Sequence, residues 1–210
     1  MQKGSFLFLL ILCAVALLGL YHAASPLPGH IIFTRFFALS AYFLLCMSLV
    51  IGPLIILRPA VFGQLAEPRR AIGIACFVFV LLHILVLLAL RYNWGIRQIL
   101  NGDPLVSIPA ALLLLALTLT SSDYAVKKLG PSLWKNVQRF NYLAFILVSV
   151  HFITKATGLP FISSGKSLNL AESALLILGL MTVGLQIAGF IARRKRMKAA
   201  AAPAAPAKSG

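Results

Sequence analysis

Apolar residues run through this chain in long blocks, and polar ones cluster between them. Six blocks stand out, at about 5–23, 35–57, 71–91, 105–122, 137–157 and 172–192. Each approaches the roughly 20 apolar residues that a helix needs to cross a hydrocarbon core about 30 Å thick. Within the blocks there is no alternation of period two, so strands are not expected. Proline and glycine punctuate the gaps: Pro26 and Pro28, Pro59, Pro104, Gly130 with Pro131, Gly158 and Pro160. The pattern predicts an all-α bundle of six transmembrane helices.

Composition agrees. Of the 210 residues, 60% are hydrophobic and 11% charged, with a mean hydropathy of +0.97. A soluble domain carries nearer 25% charged residues. Four units follow. Residues 1–33 form a first helix and an outer loop. Residues 34–158 are the central helical domain, 159–195 the last span, and 196–210 an Ala/Pro/Lys tail expected to be disordered.

The net charge of +15 would raise nucleic acid in a soluble protein. Here the cations flank apolar blocks, which excludes that reading in favour of orientation in a lipid bilayer. With six spans, fourteen of the 19 Lys and Arg residues fall on one face, among them Arg58, Arg69, Arg70, Lys127, Lys128, Lys135, Arg139 and the run Arg193 to Lys198. The other face holds Arg35, Arg91, Arg97, Lys155 and Lys166. The positive-inside rule makes the first face cytoplasmic, with both termini, and places the protein in a bacterial inner membrane. Residues 1–24 also admit a reading as a cleaved signal peptide, although His22 is a poor residue three before the cut. Cys13, Cys46 and Cys76 lie inside apolar blocks with no paired spacing, so they supply neither a disulfide framework nor a zinc site.

Two histidines carry the candidate chemistry. His83 lies in the third block and His151 in the fifth. Both blocks start at the cytoplasmic face. His83 is 13 residues past Arg70 and His151 is 12 past Arg139, so both lie about 18–20 Å in, at 1.5 Å per residue. Ionisable side chains in hydrocarbon are costly and mark function. Two neutral imidazoles at one level suit the axial positions of one haem b, a closed site adapted to electron transfer. Gly73, Ala75, Cys76 and Ala144 are small enough to admit a macrocycle. Lys155, one turn past His151, is placed either to pair with a haem propionate or to snorkel to the interface. His22 and His30 are read as exposed residues of the first outer loop, with a weak claim on a metal. A haem-free transporter and an assembly subunit of a membrane complex remain as rival readings. The transporter is disfavoured because Glu67, Asp103, Asp123 and Glu172 all sit at block ends or loops.

Four segments together bear on family. They are GPL at 52–54, PRRAIGIACFVFVLLH at 68–83, LTSSDYAVKKLGPSLW at 119–134 and QRFNYLAFILVSVH at 138–151. Across Gly52 to Gly158 the chain resembles the ferric reductase-like transmembrane superfamily. Its nearest branch is the haem-binding membrane subunit of the bacterial periplasmic methionine sulfoxide reductase system. The resemblance implies a membrane b-haem protein that takes electrons from a cytoplasmic flavin reductase (FMN or FAD) or from quinone and passes them to a periplasmic redox acceptor. By position, His83 and His151 match the outer-haem ligands, and Arg69 and Arg70 the paired arginines, with Arg69 a candidate cofactor contact. One departure matters. Gln138 stands where the family has a histidine that helps hold an inner haem, so one haem is expected here. Residues 13 apart differ by about 140° around a helix, so that match rests on the motif and not on geometry. No G-x-G-x-x-G or P-loop is present, so the reductant must come from a partner or from the membrane.

Overall fold

The computed structural model describes residues 3–24, 27–97, 104–157 and 168–201, with side chains described from residue 11 onward except at 23, 67, 104, 157 and 199–201. Pro26, Asp103, Gly158, Pro160, Lys166 and Lys208 lie outside the described residues, as does the tail from 202. The described residues are helical with no strand. Among the described residues these α-helices follow in order: α1 Lys3–Ala23, α2 Gly29–Leu57, α3 Pro59–Phe62, α4 Ala66–Val86, α5 Pro104–Leu119, α6 Asp123–Gln138, α7 Phe140–Thr157 and α8 Leu170–Ala201.

Among the described residues four stretches are long and apolar enough to cross a membrane, namely Gly29–Leu57, Pro68–Arg91, Asp123–Ala156 and Leu170–Lys198. Two shorter apolar helices, Ile11–His22 and Leu105–Leu119, accompany them. The chain is thus a multi-pass membrane protein. Of the six expected spans, four meet the length and apolarity that crossing requires. Large side chains such as Leu17, Leu112 and Leu180 are well exposed, which is costly in water and favourable against lipid.

The third block reaches Arg91 as expected, and a further helix lies between the fourth and fifth. Past Val86, α4 continues as one π-helical turn, Leu87–Arg91. Residues 123–139, read from sequence as a loop, form helix α6. Its polar and apolar residues segregate onto two sides, and Ser122 caps it by accepting from the Ala125 N–H at 3.1 Å. A kink divides it at Gly130, whose φ of +73° is in the left-handed region that glycine adopts without a Cβ penalty. Pro131 then restarts the helix. The last helix opens with a capping box: the Glu172 N–H donates to Asn169 Oδ1 at 2.8 Å, and the Asn169 N–H to Glu172 Oε2 at 3.1 Å. It runs on to Ala201, six residues into the stretch read as tail.

Helix α2 is the centre. It packs along α4 and α8, and touches α1 and α7, while α5 packs along α7. Leu45, Cys46, Leu49 and Ile51 are buried on it. Pro53 lies inside α2 and removes the N–H that would bond the Leu49 carbonyl. Gln186 of α8 replaces it, donating from Nε2 to Leu49 O at 2.7 Å. One turn along α8, Gly189 lies against Pro53, where a Cβ would approach the ring carbon to 3.0 Å. A mid-helix proline thereby becomes a helix–helix joint.

Candidate functional site

His83 sits three residues before the end of α4, half-buried. Its Nδ1 is 3.0 Å from the Thr34 carbonyl of α2. A carbonyl only accepts, so Nδ1 carries the proton and Nε2 keeps its lone pair. A metal-ligating histidine is held this way, its other ring N–H donated to a backbone carbonyl. Thr34 is itself tied down, its hydroxyl donating to His30 O at 2.6 Å. Below the ring lies an aromatic wall: Phe79, one turn back, meets Phe36 and Phe37 at centroid distances of 6.0 and 5.9 Å.

His151 is half-buried on α7. The turn past it is tightened by the Thr154 hydroxyl, which donates to His151 O at 2.9 Å. Its neighbours lock α7 onto α2. Phe152 stacks on Tyr42 at 4.6 Å between centroids and 19° between planes, and Phe145 lies parallel to the same ring at 6.2 Å. The Tyr42 hydroxyl is 3.2 Å from Ser149 Oγ, two residues before the histidine. On the far side Tyr42 abuts α8, where a Cβ on Gly179 would run into its hydroxyl.

Helices α4 and α7 are not packed along each other; each rests on another helix. Directly packed helices sit 8–10 Å apart and leave no space for a macrocycle between them. The contacts that fix the two histidines, Thr34 and Tyr42, are eight residues apart on α2, or about 12 Å by helical rise. Ala144 and Cys76 are fully buried small residues nearby in sequence on the same two helices. Lys155 is exposed in the last turn of α7.

The motifs around the paired arginines cohere in space. Arg69 Nε donates to Ser48 O of α2 at 2.9 Å, and its guanidinium lies against Gly52. Arg70 instead donates to exposed Asp123 at 2.6 Å, and this guanidinium holds the Asp123 carboxyl below the usual carboxylate range. Adjacent arginines therefore do different work, one inside the bundle and one at its surface. Trp134 Nε1 donates to Thr120 O at 3.0 Å. Gln138 Nε2 reaches Thr120 Oγ1 and Ser121 Oγ only at 3.4 and 3.5 Å. A cavity of about 40 Å³ opens beside it, lined among others by Ser48, Gly73, Ser121, Gln138 and Asn141. That is room for water and too small for a porphyrin.

His22 departs from the sequence expectation. It lies in the last turn of α1, not in a loop, and is 1% exposed. His30 lies in the first turn of α2. Among the described residues no group of three or more His, Cys, Asp or Glu side chains is placed to hold a metal ion. Sequence reasoning missed the Thr34 carbonyl and the Tyr42–Ser149 pair. A backbone acceptor leaves no mark in sequence, whereas Tyr42 in an apolar block was a visible signal, since a phenol in hydrocarbon needs a partner.

Comparison with curated proteins gives relatives of one kind over the greater part of the chain. The Protein-methionine-sulfoxide reductase heme-binding subunit MsrQ of Enterobacter sp. (strain 638) is 37% identical over 141 residues, 63% of this chain and 67% of that protein. The subunit of the same name from Salmonella arizonae is 38% identical over 117 residues, covering 52% and 56% respectively. The magnetosome protein MamZ of Magnetospirillum gryphiswaldense is 33% identical over 107 residues, 47% of this chain but 16% of that protein. The chain thus spans from about a sixth to two thirds of the length of these relatives. No family model matches the chain, and no solved structure does.

Proposed function

The chain belongs to the family of the haem-binding subunit MsrQ of protein-methionine-sulfoxide reductase, and we propose that it is a membrane electron-transfer subunit holding one haem b between His83 and His151. The observation that carries this is the Nδ1–H of His83 held on the Thr34 carbonyl, which leaves Nε2 as the ligating atom. That α4 and α7 each pack along other helices and not along one another is consistent with it. So is the donor set: two imidazoles would hold a haem iron without a protein metal cluster.

When bound, the haem supplies reversible one-electron chemistry. The chain's own residues do the rest. Thr34 fixes the His83 tautomer. Tyr42, through Ser149 and Phe152, sets the rotation of α7 and so of His151. Arg69 braces the inner end of α4 against α2. Lys155, exposed one turn past His151, is assigned a propionate. The termini face the cytoplasm of an inner membrane, electrons come from a cytoplasmic flavin reductase or from quinone, and a periplasmic acceptor receives them. The relatives' name makes a methionine sulfoxide reductase the acceptor of choice.

The test is reoxidation. Purified protein is reduced with limiting dithionite under argon, and a soluble periplasmic methionine sulfoxide reductase with its sulfoxide substrate is added. The reading predicts that the ferrous haem reoxidises only when both are present. A haem that stays reduced rules out this acceptor.

A further inference from the structure

Helix α4, which carries His83, ends in strained backbone. Past the π-helical turn Leu87–Arg91 come two consecutive left-handed residues, Asn93 at φ +44° and Trp94 at φ +62°. Among the described residues these are the only positive φ angles outside glycine. Asparagine tolerates that region, whereas a side chain as bulky as tryptophan rarely enters it. Gly95, which would adopt it without penalty, does not have it. Hydrogen bonds hold the turn: the Trp94 N–H donates to Leu88 O at 2.7 Å, and the Gly95 N–H to Tyr92 O at 2.8 Å. Strain kept in place this way, like a π-helical turn, clusters at functional sites. Here it presents Trp94 at 64% exposure and Ile96 at 65%, between exposed Arg91 and Arg97. The Arg91 guanidinium lies over the Tyr92 ring, 5.8 Å from its centroid. We propose that this turn is the docking surface for a soluble redox protein of acidic surface, with Trp94 as the anchor and Arg91 and Arg97 facing its carboxylates.

Charge selects the partner. The sequence holds no acidic residue between Glu67 and Asp103, so this stretch offers cations alone and its complement is acidic. A second copy docking by the same face would set arginine against arginine, which is repulsive. A bilayer accounts for an interfacial tryptophan, but such a residue needs no left-handed backbone to reach the headgroups. Tryptophan and arginine are also the side chains that carry most of the energy at protein interfaces. Position gives the surface its use. Arg91 is eight residues past His83, at most about 12 Å along the helix. A protein seated on the turn therefore meets the end of the bundle nearest that histidine. Its role as electron acceptor rests on the haem reading above; the docking itself does not.

The experiment uses the full-length protein in nanodiscs and a soluble periplasmic methionine sulfoxide reductase. Equilibrium binding is measured by interferometry, and haem reoxidation is followed with the sulfoxide present. Trp94→Gly suits the left-handed backbone, so its unfolding midpoint is expected at or above the parent's. Its binding is expected to weaken about thirtyfold, the lower bound for a hot-spot residue. Arg97→Glu is expected to weaken binding about fivefold at low salt and little at high salt, where the charges are screened. Arg58→Glu makes the same charge change at the far end of α2 and is expected to bind like the parent. Parent-like binding in Trp94→Gly and Arg97→Glu overturns the proposal. So does equal weakening in Arg58→Glu, because net charge is then the cause, and so does a parent that binds no reductase. In a Trp134→Phe background, Trp94 fluorescence that brominated lipid quenches and the reductase leaves unchanged places the ring in the bilayer and also overturns it. The expected binding pattern without reoxidation supports the surface and overturns the acceptor reading, while haem per chain reports the haem reading separately.

Discussion

Replacing Gln186 by leucine isolates the joint between α2 and α8. Pro53 leaves the Leu49 carbonyl without its backbone donor, and Gln186 Nε2 supplies one at 2.7 Å. Leu49 is 1% exposed, so water does not substitute. Interhelical side-chain bonds in membranes average about 0.6 kcal/mol and reach about 1.7. A carbonyl left unsatisfied in the interior costs about 1–3 kcal/mol. Gln186→Leu is therefore expected to cost about 1.5 kcal/mol. The same change made with Pro53→Ala has a different outcome. The alanine brings back a backbone N–H that reaches the Leu49 carbonyl, and the cost of losing Gln186 falls to about 0.5 kcal/mol. The coupling of about 1 kcal/mol is read from a double-mutant cycle on reversible unfolding in mixed micelles titrated with SDS. Equal costs in both backgrounds refute the reasoning, because Gln186 is then not answering the proline.

Other expectations follow from single contacts. Gly179→Ala drives a methyl into the Tyr42 hydroxyl and is expected to destabilise by about 1–3 kcal/mol; Tyr42→Phe removes the clashing oxygen and recovers most of that loss in the same unfolding assay. Gln138→Leu breaks only two long hydrogen bonds, so haem per chain, measured as the pyridine haemochrome, is expected to stay at about one; a fall would place a haem at the inner position. Asp123→Asn tests the surface pair with Arg70. The carboxyl is held low in the folded state, so its contribution is present above its unfolded pKa, near 3.9, and is lost as pH falls through the lower folded value. Parent and variant unfolding curves are expected to differ slightly at pH 7 and to converge on acidification.

The spans were legible because hydrocarbon imposes one pattern, and α2, α4, α7 and α8 fall where the apolar blocks predict. Helix α6 was not, because its Lys127, Lys128 and Lys135 interrupt any apolar run, and a helix with one polar side has loop-like composition. Pro53 was hidden too, inside a continuous apolar block, because Gln186 compensates it from 133 residues away. Of the site, His83 and His151 stand out in sequence as polar residues in apolar surroundings. What orients them does not. The Thr34 carbonyl is backbone, and the division of labour between Arg69 and Arg70 depends on which way two adjacent side chains leave one helix turn. His22 looked like a loop residue because it stands at the end of the first apolar block, beside Pro26 and Pro28, yet it proved to be the most buried histidine.

The central claim is the haem held by two imidazoles. The most direct measurement is a dithionite-reduced minus oxidised spectrum of the purified protein, with haem quantified per chain, for the parent, His83→Ala and His151→Ala. The account predicts a b-type spectrum at about one haem per chain, lost in each variant, with the unfolding midpoint reported alongside to separate ligation from folding. Haem-free protein from haem-replete cells, or full haem retained in either variant, contradicts it.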